Sequence, residues 1–153
     1  TCLEQVNRVL ASEGVASMYV TVFYGVLDTR NGHLAYCNAG HNPPYVLRAD
    51  GSVEPLAQVG GMVVGLFELA SYECGSIVLG AGDGLFMYTD GVTEATDVAG
   101  EEFTTARLAP CLAECRGLGL DAVIEKVGAA VTAFAGEAPQ ADDITMLALR
   151  YLG

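Results

Sequence analysis

An α+β fold with a mainly antiparallel sheet is predicted by three features of this 153-residue chain. Strand-like segments follow one another in hairpin-like pairs from Met18 to Thr89, helical spacing then takes over from Leu108 to Phe134, and one strand closes the chain. This segregation, in place of alternating βαβ units, argues against a doubly wound parallel sheet. Hydrophobic residues make up 52% and charged residues 17%, enough apolar surface for a real core and too little charge for a disordered chain. The length suits a single domain, and neither linker, repeat nor low-complexity stretch interrupts it.

Each element has a local cause. Leu3, Val6, Val9 and Leu10 recur at helical spacing, and Glu13-Gly14 supplies a stop. Met18 to Leu27 is apolar on both alternating faces, which predicts a strand buried on both sides. Asp28-Thr29-Arg30-Asn31-Gly32 turns it into a partner strand, His33 to Ala39. Pro43-Pro44 breaks the chain before a shorter hairpin, Tyr45 to Arg48 and Ser52 to Pro55, about Ala49-Asp50-Gly51. The glycine-rich stretch from Gln58 to Leu69 reads as loop with short strands. Glu73 to Leu79 and Leu85 to Thr89 read as strands joined by the turn Gly80 to Gly84. Leu108, Cys111, Leu112 and Cys115 mark one helix; Leu120, Val123, Ile124, Val127, Val131 and Phe134 mark a longer one. Ile144 to Tyr151 is the closing strand.

Nineteen acids against seven bases give a formal charge of −12, which repels polyanions and excludes a general nucleic-acid binder. No apolar run reaches the ~20 residues of a bilayer span and no basic-then-apolar leader opens the chain, so a soluble protein without a membrane partner is expected. Five scattered cysteines with no CxxC pair predict buried free thiols in a reducing cytoplasm.

Walker A, GxSxG, HExxH and GxGxxG motifs are all lacking, and no nucleophilic triad is suggested by order or spacing. Three acidic turns remain: Asp83, Asp90-Gly91 and Asp142-Asp143. Asp90 ends an apolar strand and Asp142-Asp143 precedes the last one. Strand-end carboxylates that met in space would offer oxygen ligands to a hard divalent cation; the same residues also serve as plain turn formers. Between Asp83 and Glu102 there are six acids and no base, which suits either a cation site or a solvated face. His41, in the rigid Gly40-His41-Asn42-Pro43-Pro44 turn, is placed to brace that loop or to hold a ligand, and His33 reads as surface.

Three ordered motifs carry a specific resemblance: Tyr36-Cys37-Asn38-Ala39-Gly40-His41-Asn42-Pro43-Pro44, then Gly82 to Ala95 with Thr89-Asp90-Gly91 at its centre, then Asp142-Asp143-Ile144-Thr145. In order and spacing they resemble the SpoIIE/RsbU branch of the protein phosphatase 2C-like (PPM) Ser/Thr phosphatases. The opening helix with Asn7 and the Thr21-Val22-Phe23-Tyr24 strand are similar too, so the likeness covers nearly the whole chain. It implies a β-sandwich flanked by helices and two Mn²⁺ or Mg²⁺ ions that acidify the water between them. That water would hydrolyse phosphoserine or phosphothreonine on a protein, typically an anti-sigma-factor antagonist. By position, Asp90 matches the metal-binding aspartate of the family's TDG turn, Asp142 that of its final turn, and Asp143 stands beside it as a further ligand; no side chain is the nucleophile. A homodimer is compatible with the likeness.

The family's earlier Asp-x-x-Gly-(His/Lys)-Gly turn, which supplies a carboxylate bridging both metals, does not occur in these residues. The expectation is a domain lacking its front segment, inactive by itself, either as part of a longer phosphatase or as a degenerate member. The competing class is a pseudophosphatase that keeps the fold and acts as a regulatory interaction module.

Overall fold

The computed structural model describes residues 1–12 and 18–153. The expected helix stop at Glu13-Gly14 lies outside the described residues. The chain divides into two compact units, Thr1–Pro43 with Ala57–Val78, and Pro44–Leu56 with Leu79–Gly153.

In the first unit, helix α1 (Cys2–Ser12) precedes strands β1 (Val22–Asp28) and β2 (His33–Ala39). These pair antiparallel from Val22 opposite Ala39 to Asp28 opposite His33. Asp28 sets the hairpin, its carboxylate accepting the Arg30 and Asn31 side chains while its carbonyl accepts the Gly32 N–H at 2.9 Å. On the other edge of β2 lie β5 (Gly60–Gly61), in parallel, and β6 (Gly75–Val78), antiparallel. Leu3, Cys37, Ala39, Val64 and Tyr72 form the core.

The opening helix forms where its spacing puts it, but one sequence expectation fails here. β1 is not buried on both faces: among the described residues β2 is its one partner strand, so it forms an edge on which Tyr24 and Val26 are exposed. Of the apolar stripe on α1, Leu3 is buried, while Val6, Val9 and Leu10 face outward. The helix is instead pinned by Asn7, fully buried, whose amide donates to the Phe67 and Glu68 carbonyls and whose Oδ1 accepts the Gly65 N–H and the Tyr72 hydroxyl.

The second unit carries a four-stranded antiparallel sheet in the order β4-β3-β7-β8, from β3 (Tyr45–Leu47), β4 (Val53–Pro55), β7 (Gly84–Tyr88) and β8 (Met146–Arg150). Although β6 and β7 are consecutive, they do not pair: β6 joins β2, and β7 lies between β3 and β8. The Gly80 to Gly84 turn therefore passes the chain from one sheet to another. Helix α2 (Thr104–Ala113) packs on β3 and β4, and α3 (Leu120–Ala135) on β8. Val123, Val127 and Val131 recur every fourth residue of α3 and are buried with Phe86, Tyr88, Val92, Leu108 and Leu112 in the main core, as the helical period requires. Phe134 meets Phe103 edge-on at 5.5 Å between centroids. Among the described residues, no helix is long and apolar enough to cross a membrane. The architecture is α+β with mainly antiparallel sheets.

Candidate metal centre

The candidate site grows from the shared end of β7 and β8. Their register runs from Gly84 opposite Arg150 to Tyr88 opposite Met146, and Thr89 extends the ladder by donating its N–H to the Thr145 carbonyl at 3.0 Å. The Thr89 hydroxyl then ties one acidic turn to the other. Its Oγ1 accepts the Thr145 N–H at 2.9 Å and donates to the Asp143 carbonyl at 2.8 Å. Past this tie the chain enters a 3₁₀ turn, Asp90–Val92, closed by Val92 N–H to the Thr89 carbonyl and Glu94 N–H to the Asp90 carbonyl.

Gly91 lies flat against the second turn: a Cβ there would stand 2.6 Å from the Asp143 carbonyl oxygen and 3.3 Å from that of Asp142. Real Cβ atoms do not approach so closely, so only glycine lets the two turns touch. Asp90, Asp142 and Asp143 are all solvent-exposed. Asp90 Oδ1 accepts the Gly91 N–H at 3.1 Å, Asp142 Oδ1 accepts the Asp143 N–H at 2.6 Å, and the Gln140 amide holds the Asp142 carbonyl. Two of the three acidic turns are thus neighbours through their backbones. Beside them opens a cleft of about 370 Å³, with Glu94, Glu102 and Asp142 around an apolar floor that includes Val131 and Ile144.

The carboxylate donors suit a hard divalent cation such as Mn²⁺ or Mg²⁺. Their number is small: among the described residues, no three His, Cys, Asp or Glu side chains form a group able to hold an ion unaided. Water or further ligands would have to complete any coordination shell.

Asp83, the third acidic turn, belongs elsewhere. It is buried and accepts the Arg48 guanidinium at 3.0 Å, the Ala49 N–H at 2.8 Å and the Gly80 N–H at 3.0 Å. Burial pushes this carboxyl up, but the three donors outweigh burial and leave it below the ordinary carboxylate value. Its role is to fasten the β3–β4 hairpin to the start of β7.

Nor does the His41 side chain brace its loop. Asn38 does so, its amide donating to the His41 carbonyl and its Oδ1 accepting the His41 N–H, both at 2.8 Å, while the ring Nδ1 lies 3.3 Å from the Thr21 hydroxyl. An Asn is suited to this by carrying donor and acceptor together. His33 is exposed, as expected. The cysteines are free, but Cys2 and Cys74 are exposed, which corrects the expectation of buried thiols. Cys37, Cys111 and Cys115 are shielded, and burial pushes their thiols up. Asn7, Asn38 and Thr89 were not legible as determinants from spacing, because each acts through backbone groups brought close by the fold.

Comparison with known proteins identifies the family of the chain. The family described as Stage II sporulation protein E (SpoIIE) matches residues 1–152. Protein IcfG of Synechocystis is 33% identical over 144 residues, 94% of this chain and 22% of that protein. Phosphoserine phosphatase RsbU of Bacillus subtilis is 32% identical over 93 residues, 60% of this chain and 28% of that protein. The structure of the SiaA-PP2C domain of Pseudomonas aeruginosa superposes with a TM-score of 0.81 at 25% identity, covering 97% of this chain and 57% of that one. The chain therefore spans less than a third of the length of these two curated relatives.

Proposed function

The chain belongs to the SpoIIE family of PP2C-type phosphatase domains, and on that premise we propose that Asp90, Asp142 and Asp143 supply part of the metal centre of a Ser/Thr phosphoprotein phosphatase. The observation that carries this reading is the tie between the acidic turns: Thr89 bridges them and Gly91 lies against Asp142 and Asp143. Bound Mn²⁺ or Mg²⁺ would acidify a water and cancel the charge of a phosphate dianion, which a −12 chain would otherwise repel.

The protein's own part is positional. Asp90 and Asp142 would offer oxygen ligands from two turns tied through their backbones, and the cleft beside Asp142 would receive the polypeptide that carries the phosphate. The substrate class is a phosphorylated regulatory protein, of the anti-sigma-factor-antagonist type, in the cytoplasm.

The test is Mn²⁺-dependent phosphate release from a phosphoserine peptide, measured on this chain and on a longer protein in which a segment carrying an Asp-x-x-Gly-(His/Lys)-Gly turn precedes it. The 153 residues include no Asp-x-x-Gly-(His/Lys)-Gly turn. Activity is therefore expected from the longer protein and not from this chain. Asp90→Asn in the active form should abolish release, a loss on the order of a thousandfold or more, while leaving thermal melting in place, since removing a carboxylate relieves repulsion between the turns. Full activity in Asp90→Asn would make Asp90 a turn residue. An inactive longer protein would favour the pseudophosphatase reading.

A further inference from the structure

Only seven residues of this acidic chain are basic, yet three of them, Arg48, Arg116 and Arg150, line one cleft of about 200 Å³ in the second unit. The cleft lies where the β3–β4 turn, the α2–α3 connection and the end of β8 meet. It is remote from the Asp90 and Asp142-Asp143 turns: Arg150 pairs with Gly84, at the opposite end of the β7–β8 ladder from Tyr88 and Met146. Four residues of strand, about 13 Å, separate it from even the nearer end of the candidate metal centre.

The three arginines are committed to different degrees. Arg48 is engaged with Glu54 at 2.7 Å and Asp83 at 3.0 Å. Arg150 donates one Nη2 to the Leu118 carbonyl at 2.8 Å, which fixes its guanidinium at the cleft wall. Arg116 is exposed and, among the described residues, makes no hydrogen bond or ion pair. Its stem runs over Gly51, where a Cβ would stand 2.5 Å from the Arg116 Cδ, so the bare backbone of that turn is what lets the side chain lie across the cleft. Asp50, whose carboxyl is lowered first by its bonds to Ser52 and also by the Arg116 charge, uses Oδ1 for the Ser52 N–H at 2.8 Å and the Ser52 hydroxyl at 2.7 Å and forms no ion pair with Arg116. Arg48 is thus the guanidinium that carboxylates occupy, and open N–H donors remain on Arg116 and Arg150.

We propose that this cleft is an anion site that takes a phosphate group between Arg116 and Arg150, separate from the candidate metal centre. A tetrahedral oxyanion suits it better than a carboxylate, because one guanidinium fork satisfies a carboxylate, whereas a phosphate presents oxygens to two forks approaching from different elements. The group could arrive as free phosphate or on a phosphorylated segment, and the two sources share this chemistry.

The experiment is a titration of the ¹⁵N-labelled chain in EDTA, first with inorganic phosphate and then with a phosphoserine peptide, read by amide shifts. Saturable shifts are expected at Gly51, Gly82 and Gly117, with Gly91 and Asp143 unmoved. Arg116→Ala, at an exposed position that should not disturb folding, should weaken binding about tenfold, and Arg116→Glu should abolish it. Tighter saturation by the peptide identifies a phosphorylated segment as the source; equal affinities identify phosphate itself. The proposal is overturned if neither probe moves those amides, or if Arg116→Ala titrates like the parent chain. Because no metal is present and the reporters are separate, either result leaves the phosphatase reading to its own test.

Discussion

At Asp83, burial and hydrogen bonding act in opposite directions, and the donors win. A carboxyl held below its unfolded value contributes stability above that value, and the contribution is lost as pH falls through the folded one. Asp83→Ala should cost about 3 kcal/mol at pH 7, since it strands the Ala49 and Gly80 N–H groups and leaves Arg48 with Glu54. The gap between parent and variant should narrow below about pH 4, where the parent's carboxyl also begins to protonate. Urea unfolding at pH 7 and pH 3 checks both statements; an unchanged gap would mean that Asp83 titrates alike in both states. Asn7 makes a similar case in the first unit without charge. Asn7→Ala removes partners from the Gly65 N–H and the Phe67 carbonyl and should cost about 3 kcal/mol, with little dependence on pH.

Among the elements, the paired ends of β7 and β8 carry the geometry of the candidate site. Gly91→Ala places a methyl against the Asp143 backbone, which cannot yield as a flexible side chain would. It should destabilise the fold by about 1–3 kcal/mol and lower any phosphatase activity at least about tenfold, as the turns part. Gly128→Ala is the control. It sits inside α3, where a Cβ would meet the Met146 methyl at an ordinary 3.6 Å, so the helix should gain about 0.5–1 kcal/mol. Melting and phosphate release measured on both variants separate close packing at the site from a general intolerance of glycine replacement.

For the whole molecule, charge is the governing quantity. The excess of nineteen acids over seven bases, a formal charge of −12, makes the compact state repel itself, most of all where carboxylates gather. Mn²⁺ at ten times its Kd should therefore raise the unfolding free energy by about 1.4 kcal/mol. Monovalent salt should stabilise by screening alone. Asp90→Asn should remove the Mn²⁺ effect and keep the salt effect. A differential scanning series with both variables decides whether the stabilisation belongs to a site or to general screening; equal Mn²⁺ stabilisation of parent and variant would remove Asp90 from the ligands.

Element types were legible in the residues because periodicity and turn chemistry are local. The valine stripe of α3, the Asp28 to Gly32 turn and the short hairpin about Asp50-Gly51 all fall where spacing puts them. The acidic turns were legible too, as carboxylates at the ends of apolar strands. Pairing was not, since it depends on surfaces far apart in the chain: β6 and β7 follow one another yet join separate sheets, and β1 reads as buried yet has one neighbour. The same holds for function. Asp83 and Asp90 are alike as sequence, an acid beside glycine next to a strand. Arg48, thirty-five residues before Asp83, turns that residue into a fastening. Thr89 and Gly91 bring the Asp90 turn against Asp142 and Asp143. Local pattern determines which groups are available for chemistry, and long-range hydrogen bonding decides which of them face one another.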